Sequence, residues 1–291
     1  MLNDPLSPNY LCDTDSRYKI GLPAWAFPGW NNLYFNTRPS ALASYARVFN
    51  TVEGNTTFYS TPDEKTVQLW YDAVSDSDFQ FCFKLPKTVT HSSRPNFNDL
   101  TEFLRRIEPL SNHIGPLLLQ FPATAGPAEL PTMDSILSQL PKQYRYVIEV
   151  RHIEFFNKQE LLEPLLKKYQ LGRVLMDTRA IFRGNKNHPE VTAALHDKPD
   201  VPVLGKIYNK LVFVRLMLHP DLVSNDLYID QWTKRISQAL SNDCDCYMMI
   251  HCPNNLHCPP MALDFHERLR GRDQSLPSLK PWPVPQQTSL L

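Results

Sequence analysis

Glycine is scarce in this sequence, and long apolar stretches and a net charge are missing. The 291 residues include 9 glycines, and none of them forms a glycine-rich loop of the type that binds nucleotide phosphates. The longest apolar run, residues 211–218, contains Arg215, whereas a membrane-spanning helix needs about 20 apolar residues. Lys plus Arg equals Asp plus Glu at 30 each, so no general positive field attracts nucleic acid or anionic lipid. We therefore expect any anion site to be local, and we expect no membrane partner.

The N-terminus and the cysteines indicate the compartment. The first 17 residues are polar and lack the apolar core of a secretory signal peptide. The chain has six cysteines, and a protein of this size does not need disulfides for stability, so we expect reduced thiols and a cytoplasmic location. The spacing of cysteines and histidines matches no standard zinc motif, and the sequence predicts neither a metal nor a cofactor.

Short apolar runs alternate eight times with segments of helical spacing, and this alternation is the strongest structural pattern in the sequence. Connections after the runs are mostly long and rich in Pro, Asn and His, whereas most returns to the next run are short. The pattern predicts an α/β fold with a single (β/α)8 TIM-barrel domain over residues 18–274. A polar N-terminal tail, residues 1–17, and a Pro-rich C-terminal tail, residues 275–291, flank this domain, and a doubly wound sheet is the alternative. The strand-like runs are residues 18–22, 51–54, 79–85, 116–121, 145–150, 173–176, 211–217 and 246–251.

Polar residues stand at the ends of these runs with a regular alternation. Residues of a barrel strand alternate between the interior and the helix layer, so positions two apart share a face. On seven of the eight runs this alternation predicts a polar side chain in the mouth of the barrel, at the carboxyl ends where barrel enzymes keep their active sites. The ring contains three carboxylates and three cations, together with neutral polar residues: Glu53, Glu149, Asp177, Lys84, Arg151, Arg215, Asn55, Gln120 and His251.

Such a ring suggests anion binding combined with acid–base chemistry. Arginine forks hold anionic groups, and a carboxylate can act as the base. We interpret Glu149, Glu53 and Asp177 as candidate catalytic groups. His91 is added because histidines are concentrated in the connections that follow strands. A structural salt-bridge network that closes the barrel is the alternative interpretation.

Several ordered motifs resemble a known family. They are VEGNTTFY at 52–59, FCFKLP at 81–86, LQFP at 119–122, IEVRH at 148–152 and VRL at 214–216. Together they resemble the YecE-like family, a group of unknown function, over about residues 19–270. The resemblance implies a TIM barrel and functional positions, but it implies no reaction. The substrate-binding candidates that we take from the ring and these motifs are Trp25, Asn55, Tyr59, Lys84, Gln120, Arg151, His152, Arg215, Asn254 and Asn255.

The favoured hypothesis is an enzyme of the hydrolase or lyase type that acts on a small anionic or sugar-phosphate-like substrate. In this hypothesis Glu149 is the general base, and Lys84, Arg151 and Arg215 bind the anion. A non-catalytic sensor that binds a small anionic or polyhydroxyl ligand in the same pocket is an alternative.

A barrel that binds nucleic acid and acts in DNA repair or replication is a second alternative. Trp25, Trp30, Tyr34 and Tyr59 would stack on the bases. The neutral net charge argues against strong nonspecific affinity, so nucleic acid is the less favoured partner.

The end of the chain contains a candidate docking motif. The last five residues, from Gln287 to Leu291, resemble the Gln-x-x-Leu-Phe type of peptide that binds bacterial sliding clamps, with Leu291 where Phe is usual. The prolines before them favour an extended backbone that would present the motif. A sliding clamp is thus a candidate partner, and a chance match in a frayed tail is the alternative.

Overall fold

The structure, a computed structural model, describes residues 17–36, 38, 40–280 and 282. The predicted N-terminal tail, up to residue 16, and the candidate clamp-binding motif from Gln287 to Leu291 lie outside these ranges. Eight β-strands occur in the described chain, and their ends lie within two residues of the predicted runs. The strands are β1 (Tyr18–Gly21), β2 (Thr51–Gly54), β3 (Gln80–Phe83), β4 (Leu117–Gln120), β5 (Tyr146–Glu149), β6 (Gly172–Asp177), β7 (Leu211–Met217) and β8 (Asp245–His251).

The strands form two parallel sheets. Six of them make one curled sheet in the order β1-β8-β7-β6-β5-β4, and β2 pairs with β3. Isolated backbone hydrogen bonds link the sheets: the Glu53 amide donates to the Leu22 carbonyl at 3.0 Å, and the Leu85 amide donates to the Leu118 carbonyl at 3.0 Å. The described residues therefore show an α/β fold with a curled six-stranded parallel sheet. A complete eight-stranded barrel stays a prediction.

Helices alternate with the strands and begin at capping residues that the sequence provides. Asp63 accepts a hydrogen bond from the Thr66 amide at 2.7 Å, and Asn96 accepts one from the Asn98 amide at 3.1 Å. No helix in the described part of the chain is long and apolar enough to cross a membrane. The α-helices are α1 (Ala41–Ala46), α2 (Glu64–Val74), α3 (Lys87–Thr90), α4 (Phe97–Ile107), α5 (Leu130–Ser138), α6 (Glu154–Asn157), α7 (Glu163–Lys168), α8 (Arg179–Arg183), α9 (Pro189–Leu195), α10 (Asp226–Ser241) and α11 (Cys258–Arg270). Short 3₁₀ helices cover Pro28–Trp30, Thr56–Phe58, Glu108–His113, Pro127–Glu129, Gln159–Leu161, Leu222–Asn225 and Asn255–His257.

Apolar side chains pack on both faces of the strands. The larger cluster lies between the strands and the helices and includes Ile148, Val214 and Trp232. Because successive strand residues face opposite sides, the other face carries a separate, smaller cluster. The polar ends of β3, β4, β5, β7 and β8 stand two residues beyond members of this smaller cluster, so it forms an apolar base beneath them. Its members are Cys82, Leu118, Val147, Val174, Leu211, Phe213, Tyr247 and Met249.

Asp177 departs from the predicted alternation. In the pairing of β5 with β6, Val147 is opposite Gly172, so Gly172 and Val174 share the face of Val147. Val174 belongs to the smaller cluster, whereas Asp177 faces the helix layer and accepts a hydrogen bond from Nε1 of Trp232 at 2.7 Å. This corrects the prediction that Asp177 points into the mouth. The sequence could not reveal the register, because Gly172 has no side chain to mark the inner face.

The described part of the predicted C-terminal tail is packed against the domain. Leu276 and Leu279 are buried. The ring of Trp282 lies 5.5 Å from that of Phe35 and 5.8 Å from that of Phe49. The predicted boundary after residue 274 therefore falls within the packed structure.

We predict that Gly21→Ala destabilises the protein. A Cβ at Gly21 would lie 2.1 Å from the carbonyl oxygen of Thr51 in β2, so the backbone would have to move. Overpacking of this kind costs about 1–3 kcal/mol of unfolding free energy. The matched change Gly205→Ala adds a Cβ with no heavy atom within 4 Å and should be neutral or slightly stabilising. Urea unfolding followed by circular dichroism measures both, and equal midpoints would contradict the close approach of β1 and β2.

Candidate functional site

Arg215 is the centre of a buried ion-pair network at the carboxyl ends of the strands. Its Nε and Nη2 donate to the two carboxylate oxygens of Glu53 at 2.8 and 2.9 Å. Its Nη1 donates to Oε2 of Glu149 at 2.6 Å. All three guanidinium nitrogens are engaged, so the side chain is fixed between two carboxylates.

Three further side chains complete this network. Nε of Arg151 donates to Oε1 of Glu149 at 2.7 Å. Nζ of Lys84 lies 3.3 Å from Oε1 of Glu53, and Nε2 of His251 lies 3.1 Å from Oε2 of the same carboxylate. Each glutamate oxygen therefore has at least one partner, and both side chains are at most 1% exposed. We call these six residues the Arg215 network: Glu53, Lys84, Glu149, Arg151, Arg215 and His251.

Burial and mutual charge shift the pKa values within the Arg215 network. Burial by itself raises the pKa of Glu149, but the two neighbouring arginines outweigh it and lower the pKa to about 2. Glu53 behaves in the same way, with a pKa well below its ordinary value. Burial and the charge of Arg215 lower the pKa of Lys84 to about 8, and burial lowers the pKa of His251 to about 4. At pH 7 both glutamates are ionised, Lys84 is mostly protonated and His251 is neutral.

A cleft of about 570 Å³ opens above the Arg215 network. Its lining is mostly polar. Gln120, at the end of β4, belongs to the floor, and its Oε1 is buried with no hydrogen-bond partner among the described residues. One wall comes from α9 and the residues after it, which contribute Glu190, Asp197 and Lys198. Tyr59, from the connection after β2, forms part of the rim.

Most of the predicted site residues meet at this cleft. Glu53 and Glu149 are buried directly beneath the cleft. They do not line it, but the cations that they contact do. The predicted residues that line it are Asn55, Tyr59, Lys84, Gln120, Arg151, Arg215 and Asn255.

Asn254 and Trp25 do not line the cleft. Nδ2 of Asn254 donates to Oε1 of Glu190 at 2.7 Å, so Asn254 holds a residue of the wall. The ring of Trp25 packs edge-on against Trp70 of α2 at 5.2 Å, within an aromatic cluster. Both residues lie in connections whose paths depend on the elements that pack against them, which the motifs alone do not specify.

His91 and His152 also lie outside the cleft lining. His91 is exposed and its ring contacts Phe58 at 4.9 Å, on the edge of a separate depression. Burial and the charge of Arg151 lower the pKa of His91. Nδ1 of His152 accepts a hydrogen bond from the Glu154 amide at 3.3 Å, at the start of α6. The catalytic role of His91 thus has no support from the cleft geometry.

His251 and Lys198 line the cleft but were not selected as site residues from the sequence. His251 shares the inner face of β8 with Met249. The strand alternation that predicted an inward-facing Arg215 therefore predicts an inward-facing His251 as well. No strand alternation or motif in the sequence indicated that Lys198 would line the cleft. Its position depends on the path after α9, where Oγ1 of Thr178 donates to the carbonyl of Pro199 at 2.8 Å. Nζ of Lys198 has no hydrogen bond or ion pair with the described residues, and burial together with Arg215 lowers its pKa.

The aromatic residues proposed to stack on bases are mostly packed within the protein. Trp30 is 1% exposed, and its Nε1 donates to the carbonyl of Asn255 at 2.8 Å. Tyr34 packs against Trp282 at 5.3 Å. Trp25 is in the aromatic cluster of α2. Among the four only Tyr59, at 71%, is exposed, and Nζ of Lys87 lies 5.5 Å from the centre of its ring.

Among the described residues, the cleft contains neither a set of metal ligands nor a reactive thiol. These residues contain no group of three or more His, Cys, Asp or Glu arranged to hold a metal ion. Cys252 lines the cleft, but burial raises its pKa to about 12, so it is a protonated thiol with low nucleophilicity.

The fold and the site define an α/β protein with a polar cleft at the carboxyl ends of parallel strands, above a buried arginine–carboxylate network. The chain belongs to the DUF72 family, because the family model described as "Protein of unknown function DUF72" matches residues 19–287. Two relatives named UPF0759 protein YecE, from Escherichia coli strains K12 and O157:H7, are each 35% identical over 277 residues. These alignments cover 93% of this chain and 98% of each relative. The resemblance to the YecE-like family is thereby confirmed.

Two solved structures resemble the protein in fold. A DUF72 family protein from Enterococcus faecalis V583 gives a TM-score of 0.66 at 18% identity, over 87% of this chain and 95% of that one. A DUF72 family protein from Thermotoga maritima MSB8 gives a TM-score of 0.63 at 18% identity, over 87% of this chain and 98% of that one. At this identity the likeness shows the fold alone.

We predict that Glu149→Gln lowers the unfolding free energy by about 3–5 kcal/mol, because it leaves the buried guanidinium groups without one carboxylate. Glu102→Gln is the matched control. Glu102 also contacts two arginines, Arg105 at 2.9 Å and Arg106 at 2.6 Å, but it lies on the surface of α4. The midpoint of urea unfolding should drop for the first variant and stay close to that of the unmodified protein for the second. Equal midpoints for the two variants would show that the network does not stabilise the fold.

Proposed function

We propose that the protein is an enzyme of the hydrolase or lyase type that acts on a small anionic substrate, of the sugar-phosphate type, in the cleft. The observation that carries this proposal is an excess of N–H donors over acceptors around the cleft. Lys84, Arg151 and Lys198 all face it with donors that no carboxylate occupies. Such donors favour a ligand with negative charge.

The unoccupied donors belong to the cations around Arg215 and not to Arg215 itself. Arg215 uses all three of its nitrogens on the two glutamates. Arg151 uses only Nε, so both of its terminal nitrogens are available. Lys84 has one carboxylate contact, at 3.3 Å, and Lys198 has none within the described residues. The available charge therefore belongs to the cations around Arg215.

The carboxylates of the wall do not cancel this excess. Oε1 of Glu190 accepts a hydrogen bond from Asn254, and its Oε2 lies 3.6 Å from Nε2 of His257. Asp197 is exposed to solvent, where screening weakens its effect on the floor. A bound anion would thus meet cations at the floor. At the wall, Asp197 is solvated, and Glu190 is held by Asn254 with its Oε2 buried and without a hydrogen bond.

Neutral polar groups on the floor suit a ligand with hydroxyl groups. The unpaired Oε1 of Gln120 is a buried acceptor, and such an atom costs about 1–3 kcal/mol unless a donor reaches it. Nδ2 of Asn55 is held by the carbonyl of Pro23 at 2.8 Å, which fixes the amide at the edge of the cleft. A polyhydroxyl ligand would supply a donor to Gln120 while its anionic group meets the cations.

The two glutamates act as positioning residues in this proposal. Each has its oxygens occupied and its side chain buried, so neither contacts the substrate. Their negative charge keeps Arg151 and Arg215 in place and offsets part of the repulsion among the cations. This differs from the general-base role that the sequence suggested for Glu149.

A ligand sensor without catalysis is the second candidate. The engagement of both glutamates favours it, because a carboxylate held by two arginines at a pKa of about 2 is a weak base. A nucleic-acid-binding role has less support, since Tyr59 is the single exposed aromatic of the four proposed.

We also propose that the two sheets act as one (β/α)8 barrel. The cleft draws Asn55 and Lys84 from the β2–β3 sheet side and Arg215 and His251 from the larger sheet, so it needs both. The parallel bridge between Lys84 and Leu118 supports a continuous wall on one side.

We place the protein in the cytoplasm as part of this proposal. The five cysteines of the described chain are free and buried. Reduced thiols are typical of proteins in a reducing compartment.

We predict that Lys198→Met weakens sulfate binding about tenfold, because it removes one charged hydrogen-bond donor from the cleft. Isothermal titration calorimetry with sulfate measures the change. Lys206→Met is the matched control, since Lys206 lies in the same connection but pairs with Glu163 on the surface. Equal affinities of the two variants would remove the cleft as the anion site.

Measurement of substrate turnover distinguishes the proposed enzyme from a ligand sensor without catalysis. A panel of triose and hexose phosphates followed by phosphorus NMR should include at least one compound that the protein converts, and Arg151→Met should slow that conversion. Binding of panel members with no conversion of any would favour the sensor.

We predict that sulfate affinity is constant between about pH 6 and 7 and falls as the pH rises through about 8, the pKa of Lys84. Sulfate stays a dianion over this range, so the change reports the protein. The sign follows from linkage: the anion binds the protonated lysine more tightly, and deprotonation removes that attraction. Lys84→Gln should bind sulfate more weakly and lose this step. A step of the same size in both proteins would assign it to another group.

A further inference from the structure

His251 stands at the last position of β8, on the floor of the cleft. It follows Tyr247 and Met249 on the inner face of the strand, and the residue is 5% exposed. Its Nε2 lies 3.1 Å from Oε2 of Glu53, which also accepts from Arg215. Its Nδ1 has no hydrogen bond with the described residues, and the ring lines the cleft.

The contact with Glu53 determines which nitrogen of the ring carries the proton. Burial disfavours the ionised form of Glu53, but Arg215 and Lys84 outweigh this effect and keep its pKa well below the ordinary value. An ionised carboxylate only accepts hydrogen bonds, so Nε2 of His251 must be the donor. In the neutral ring, Nδ1 then carries the lone pair.

We infer that His251 is the proton acceptor of the cleft and that Glu53 is its positioning residue. This inference rests on the proposed function, because it supplies the base for the same site. Nδ1 removes the proton from an O–H group of the substrate or of a water molecule. The O–H bond breaks, an Nδ1–H bond forms, and the electron pair stays on the oxygen. This oxygen then forms a bond to the electrophilic atom of the substrate while the bond from that atom to the leaving group breaks. The leaving group takes the electron pair of the broken bond and can receive the proton back from Nδ1. The imidazolium that results is stabilised by Glu53 through the Nε2–H hydrogen bond.

His251 suits this role better than either glutamate. Both oxygens of Glu149 are occupied by arginine N–H groups, and both oxygens of Glu53 have partners. A base must reach the proton that it removes within hydrogen-bonding distance. Of the Arg215 network, His251 alone offers an unoccupied lone pair on a ring that lines the cleft.

The charges that face His251 couple its basicity to anion binding. Burial lowers the pKa of His251 to about 4, Glu53 raises it in part, and Arg215 and Lys198 lower it further. A bound anion would offset the two cations and raise the pKa towards neutrality. The base therefore becomes stronger when the substrate is present.

Nitrogen-15 NMR of the full chain labelled at histidine tests the tautomer directly. The His251→Asn spectrum identifies the signals of His251. We expect a protonated Nε2 and a lone pair on Nδ1 for His251 at pH 7. His113 is an internal control of the opposite tautomer, because its Nδ1 lies 3.0 Å from the carbonyl of Phe79 and must donate to it. Protonated Nδ1 at His251 in the unmodified protein would overturn the inference.

Titration with sulfate then separates this inference from the proposed function. Sulfate that binds should raise the pKa of His251 by about one unit or more. Sulfate that binds without moving this pKa overturns the coupling and leaves the anion site intact. If sulfate does not bind, the proposed function is wrong. The assignment of His251 as the base of the site is then wrong as well, even if the tautomer is the expected one.

Kinetics on any substrate from the phosphate panel complete the test. His251→Asn should lower kcat by about 10²- to 10⁴-fold with little change in KM, as expected for a lost general base. Glu53→Gln should change the tautomer signal and shift the pH profile of kcat, which a purely structural residue would not do. Unchanged kcat in His251→Asn would overturn the inference.

Discussion

The guanidinium of Arg215 between Glu53 and Glu149 is the interaction on which the rest of the site depends. It connects three strands, and one of them, β2, belongs to the smaller sheet. Removing three charges from water is costly, and the attraction among them offsets that cost only when the hydrogen bonds are complete. The bidentate contact to Glu53 and the single contact to Glu149 meet this condition. The network therefore favours one relative placement of the two sheets.

In the proposed function, the same network assigns binding and basicity to different residues. Two glutamates neutralise Arg215 and thereby lose their own accessibility. The remaining cations keep donors that face the cleft, and His251 keeps a free nitrogen. The apolar cluster beneath the network excludes water from below, and this strengthens the interactions among the buried charges of Arg215, Glu53 and Glu149.

The sequence predicted the floor of the site better than its walls. Strand alternation correctly brought Glu53, Lys84, Glu149 and Arg215 together, because each follows an apolar residue whose side was clear. It failed for Asp177, since the register of β6 depends on its pairing with β5 and Gly172 carries no side chain.

Residues in the connections were harder to predict. The family motifs include Trp25, His152 and Asn254, but a motif does not say whether a side chain faces a ligand or a neighbouring helix. Lys198 lies 21 residues beyond the end of β6, and its approach to the cleft depends on the packing of α9. No local pattern in the sequence encodes such a path.

The two ends of the described chain lie against each other, and this has a consequence for synthesis. β1 pairs with β8, and Trp282 packs on Phe35 and Phe49, which precede β2. The first strand therefore has no β8 partner until all the strands between them have been made. A ribosome must release residues up to Trp282 before these contacts form, so β1 and the segment before β2 complete their packing later than the elements between them.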